Sequence, residues 1–92
     1  MQKAGGVFFY RRIIMEELRQ ELKLKNQALM IKYADVIKSI AIKNGKDLGV
    51  AFDMLKANAR GGNYECDVEY DKEELRKDYE EIVLLSEKIL NL

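Results

Sequence analysis

Proline, histidine and tryptophan are all missing from this 92-residue sequence, and cysteine occurs once. Each absence narrows what the chain can be. Without proline the strongest interruption of a helix is gone, so long helical segments can form. Without histidine the commonest general base is gone, and a helix-borne Glu-x-x-His metal motif is excluded. The lone Cys66 permits no intrachain disulfide. With no histidine beside it, no zinc site is expected. An unpaired thiol of this kind suits a reducing setting, so a cytoplasmic location is expected. No apolar run approaches the roughly 18–20 residues that span a bilayer, so no membrane segment is expected. Arg11 and Arg12 cut short the apolar run that precedes them, and no small-residue cleavage site follows, so no secretory signal is expected.

Catalytic and cofactor motifs are equally scarce. Ser39 and Ser86 fall in helix-forming segments with no base beside them. Cys66 lies between Glu65, Asp67 and Glu69, a setting that disfavours a thiolate. Asp67, Glu69 and Asp71 have the alternate spacing that opens a calcium loop. The pattern then fails, because Lys72 stands where that loop needs glycine and Asp78 replaces its closing Glu. Gly61-Gly62 is followed by Asn63 rather than by the Lys-Ser or Lys-Thr of a phosphate loop. The expectation is a protein that is not an enzyme, with no catalytic residues, no cofactor and no metal.

What remains is apolar and charged. Apolar residues make up 48% of the chain and charged residues 35%, the composition of a folded, helix-rich protein. Its length fits one domain over residues 1–92. A chain this short buries a modest fraction of its surface. With disulfide and metal removed, association with a second copy is the remaining way to supplement the core.

Glycines divide the chain at Gly5-Gly6, at Asn44-Gly45 and at Gly61-Gly62. Ile14, Leu18, Leu22, Leu29, Val36 and Ile40 stay in phase at helical period, with Met15 and Tyr33 at the edge of the stripe. They predict one long helix over about 8–44. Two helices with a break near Asn26, in the polar patch Lys25-Asn26-Gln27, are the alternative. Asp47 is placed to cap a short helix over about 48–59, with Leu48, Ala51, Phe52 and Leu55 inward and Gly61 ending it. Residues 64–71 alternate apolar and acidic, which argues a half-buried strand-like segment over 64–70 with Cys66 on its inner face. Val7–Tyr10 or a second subunit could pair with it, and an unpaired extended loop is the alternative. Asp71 and Glu74 form a variant capping box for a C-terminal helix over about 72–91. Leu75, Tyr79, Ile82, Val83, Ile89 and Leu90 share one face of that helix, which should pack on the first. The fold class expected is therefore a mainly α small helical bundle. Phe8-Phe9-Tyr10-Arg11-Arg12 reads as an N-terminal staple on that bundle, with a membrane-surface or base-stacking cluster as the alternative.

Two features point beyond the core. A second apolar row, Ile13, Leu24, Ile31 and Ile42, runs along the opposite side of the first helical segment. An ordinary surface helix has one apolar face. The second implies a subunit interface, with a dimer favoured, unless the later helices cover it. Charge is also uneven. Residues 1–63 hold 12 Lys/Arg against 6 Asp/Glu, and residues 64–92 hold 4 against 10. The expectation is that this division orients helices or subunits as they meet. Together these features suggest a small oligomeric interaction protein that presents a charged helical surface to a protein partner, as regulators, inhibitors and assembly factors do. The alternative function is a DNA-binding transcriptional regulator built on residues 36–60, read as helix, turn, helix. The order of elements loosely resembles winged-helix regulators with a C-terminal dimer helix, an analogy of outline that no motif backs and that transfers no function. Lys43, Lys46, Lys56 and Arg60, with Lys38, are the candidate nucleic-acid contacts. Asp47 and Asp53 oppose them.

Overall fold

The computed structural model describes the backbone of residues 2–92 and the side chains of residues 11–92. Among these residues the regular structure is entirely α-helical: α1 (Gln2–Lys32), α2 (Ala34–Asn44), α3 (Leu48–Ala59) and α4 (Lys72–Leu90). Two boundaries follow from local chemistry. Asp47 accepts a hydrogen bond from the Val50 amide at 2.8 Å and opens α3. Asp71 accepts from the amides of Glu73 and Glu74 and opens α4. Each satisfies donors that a helix start leaves bare. At the end of α3 the chain turns through Gly61, whose φ of +100° a side chain would strain. The reciprocal half of the capping box at α4 does not form, because Glu74 bonds Lys32 on α1 instead.

The single long helix over 8–44 is corrected: the chain divides at Tyr33, and the division is not near Asn26. At Asn26 the side-chain Nδ2 donates to the Leu22 carbonyl at 3.2 Å and the helix runs on. Tyr33 leaves helical geometry at φ −108° and ψ 24°. Its ring is buried edge-on against Tyr70, with centroids 6.3 Å apart, and its hydroxyl reaches Asp78. The joint thus lies where tertiary contacts hold the ring. The Tyr33 amide still bonds the Leu29 carbonyl at 3.1 Å, and the Ile37 amide the Tyr33 carbonyl at 2.9 Å. A straight helix over residues 2–44 would be about 64 Å long, and the molecule measures 59 Å along its longest axis. α1 and α2 therefore run nearly end to end.

The strand-like segment over 64–70 is also corrected: it is an extended loop. A strand needs a neighbouring strand to satisfy its backbone, and Val7–Tyr10, the proposed pairing segment, lies within α1. Polar side chains of the helices hold the loop instead. Asn58 is buried and grips Tyr64 twice, donating to its carbonyl at 3.0 Å and accepting from its amide at 2.8 Å. Asn44 donates to the Glu65 carbonyl, and the Asp67 amide donates to the Ser39 hydroxyl at 2.7 Å. The alternation is half kept: Cys66 and Tyr70 pack against the core while Tyr64 and Val68 are exposed. Packing of the aromatic side chains of residues 8–10 lies outside the described residues.

The core joins all four helices. Leu18, Leu29, Val36 and Ile40 are buried, as the primary stripe requires, and Ile40, Leu55 and Leu75 are fully so. α4 runs antiparallel to α1. Lys32 reaches Glu74 and Asp78, each at 2.8 Å, and Lys25 reaches Glu81 at 3.4 Å further along. Leu85 joins Leu75 and Ile82 on the buried face of α4, whereas Leu90, expected there, is exposed. No helix among the described residues is long and apolar enough to cross a membrane.

Candidate interaction surface

The second apolar row faces away from all of this packing. Leu24, Ile31 and Ile42 are 55%, 71% and 83% exposed, and Ile13 at the far end is 39% exposed. The α3 and α4 helices do not cover them. Their positions follow from helical phase: residues a whole number of turns apart on α1 and α2 share a side, and this side lies opposite Leu18, Leu29, Val36 and Ile40. Along a helix rising 1.5 Å per residue, the row runs for about 44 Å. Leu24, Ala28 and Ile31 form its tightest part, all exposed.

Beside the row lies an apolar cleft of about 200 Å³ where α1, α2 and α3 meet. Met30, Ala34, Ile37, Leu48 and Phe52 line it. Leu48, inward by its place in the α3 pattern, is instead 57% exposed at the rim. Met30 has no place in either stripe and was not legible as a surface residue. The cleft draws on three segments, so no single periodicity reports it.

The candidate nucleic-acid contacts are not brought together as one free basic face. The Lys43 ammonium bonds the Asp67 carboxylate at 3.1 Å, and that contact raises its pKa above the ordinary lysine value. Lys56 lies over the Phe52 ring at 4.2 Å from its centroid, a cation–π contact that half-buries the side chain. Lys46 and Arg60 are exposed, at the ends of α2 and α3. Asn58, the polar residue of α3 best suited to reading a base, is spent on the Tyr64 and Tyr70 contacts. The α2–Gly45–α3 unit does have the two-helix outline expected of residues 36–60, with Gly45 left-handed at φ +63°.

Among the described residues, Lys25, Lys32, Lys43 and Arg76 form ion pairs within the chain. The acidic start of α4 meets the basic end of α1 at Lys32, whose pKa is raised by hydrogen bonds to Asp78 and then Glu74. Arg76 pairs with Glu73 and, at 3.6 Å, with Glu80. The hydrogen bond from Arg76 holds the Glu73 carboxyl below its usual range. Among the described residues no three His, Cys, Asp or Glu side chains converge to hold a metal ion. The Cys66 thiol donates to the Val68 carbonyl at 3.1 Å, a contact within its own loop. No protein-family model matches the chain, and neither a curated protein nor a solved structure is similar enough to be matched to it.

Proposed function

We propose that this chain is a small, non-enzymatic, oligomeric interaction protein that works in the cytoplasm as a regulator, inhibitor or assembly factor. It associates with its own copy through the row Ile13, Leu24, Ile31 and Ile42 and presents the remaining charged helical surface to a protein partner. One observation carries the reading: large aliphatic side chains at Leu24, Ile31 and Ile42 face solvent on a side that their own fold leaves open. Scattered exposed leucines and isoleucines are ordinary. A row of them in helical phase along about 44 Å is the form of a helix–helix contact. Light scattering across a concentration series tests it: a mass that rises to twice that of the 10.7 kDa chain supports association, and a single-chain mass throughout opposes it.

The runner-up reading is DNA binding through residues 36–60, favoured by the α2–turn–α3 outline and by exposed Lys46 and Arg60. Lys43 and Lys56 already have partners in the fold, which weakens it. Retention on DNA at low salt that falls steeply as salt rises would favour this reading. No retention at low salt would remove it.

A further inference from the structure

The outward row is self-complementary when one copy is reversed. Its spacings of 11, 7 and 11 residues read the same in both directions. An 11-residue step overshoots three turns by about 20°, and a 7-residue step falls about 20° short of two. The deviations alternate, so on each helix the row keeps its side, and across the joint at Tyr33 it is the exposure of both Ile31 and Ile42 that continues it. We infer that the protein forms an antiparallel two-fold dimer along it, with the axis passing between Gln27 and Ala28; this rests on the oligomeric interaction reading.

In that register Ile13 meets the partner's Ile42, and Leu24 meets the partner's Ile31. Charge complementarity selects it. Between the aliphatic residues the same side carries Glu17, Gln20, Asp35 and Lys38, all exposed. Reversal sets Glu17 opposite the partner's Lys38 and Gln20 opposite the partner's Asp35, each pair occurring twice by symmetry. A parallel pair in register would instead oppose Glu17, Asp35 and Lys38 to their own copies, three like-charged contacts. Small Ala28 at the axis lets the two helices approach closely. Opposite charges along such a seam choose orientation more than they add affinity.

Single-cysteine variants in a Cys66→Ser background test the orientation with a short bifunctional maleimide crosslinker. The axis puts the two copies of position 28 side by side, and it holds the two copies of position 42 about 43 Å apart. Ala28→Cys should therefore link to itself, and Ile42→Cys should not. Charge reversal gives a second reading. Glu17→Lys and Lys38→Glu should each weaken the dimer roughly tenfold, and the two combined should restore it. Self-linking of Ile42→Cys overturns the antiparallel register. A stable dimer in which Ala28→Cys does not link overturns this interface and leaves the interaction reading standing. A chain that stays monomeric at high concentration overturns both.

Discussion

The Tyr33 hydroxyl, at the joint between α1 and α2, donates a hydrogen bond to Oδ2 of Asp78 on α4 at 3.0 Å. The same carboxylate oxygen accepts from Lys32 at 2.8 Å, and the Tyr33 ring packs edge-on against Tyr70. One residue therefore ties the joint to both the loop and the last helix. Tyr33→Phe keeps the ring and removes the hydroxyl. It should cost about 1 kcal/mol and lower the melting temperature by about 4–8 °C at fixed protein concentration. Thermal unfolding followed by circular dichroism measures this, and an unchanged midpoint would contradict it.

The same hydroxyl gives the fold an alkaline limit. Burial, and then the bond to Asp78, push Tyr33 up from 10.0 to about 12. The unfolded chain loses that proton first, so between these values it binds fewer protons than the folded chain, and stability falls as pH rises. Lys32, also raised, adds a loss of the same sign: its contribution is present below the ordinary lysine value and fades as pH climbs through the folded one. Urea midpoints should drop between about pH 9 and about pH 11, and drop less steeply in Tyr33→Phe. Parallel profiles for the two proteins would show that Tyr33 is not the group responsible.

Asn58 is the anchor of the loop. Its buried amide makes three contacts, to the Tyr64 carbonyl and amide and to the Tyr70 hydroxyl at 3.2 Å. Asn58→Ala leaves those groups short of partners and should destabilise the protein by about 2–4 kcal/mol. Limited proteolysis should then cut first within residues 63–71. Cleavage in that loop no faster than in the native protein would count against this anchoring.

Gly62 is required for space rather than for dihedral freedom. A Cβ there would lie 2.8 Å from the Ala57 carbonyl oxygen and 3.0 Å from its carbon, both backbone atoms. Gly45 has open space and only a left-handed φ of +63°. Gly62→Ala should therefore cost about 1–3 kcal/mol, and Gly45→Ala about 1 kcal/mol. Chemical denaturation of the two variants side by side gives the order, and the reverse order would contradict the close approach.

The parts of this fold legible in sequence were those written locally. Asp47, Asp71 and Gly61 marked helix ends through contacts made within a few residues, and the stripe from Leu18 to Ile40 marked the buried side. The outward row was equally legible, because helical phase alone places Leu24, Ile31 and Ile42 together. The break at Tyr33 was not, since its causes are Tyr70 and Asp78, remote in sequence. Glu74 likewise leaves its capping role for a lysine 42 residues away. The alternation of residues 64–71 reads as a strand, yet only Cys66 and Tyr70 turn to the core while Tyr64 and Val68 stay exposed. Only the donors and acceptors on Ser39, Asn44 and Asn58 reveal that helices take the place of a neighbouring strand. The cleft of Met30, Leu48 and Phe52 exists only once three segments meet.

Sedimentation equilibrium of the native chain beside the Ile31→Asp/Ile42→Asp variant tests the outward row most directly. Both positions face solvent in the single chain, so the substitutions should leave its fold intact. The expected result is a native dimer and a monomeric variant with the same helical circular dichroism and cooperative melt. A native chain that remains monomeric at its highest attainable concentration, or a variant that remains dimeric, would contradict the assignment of this surface.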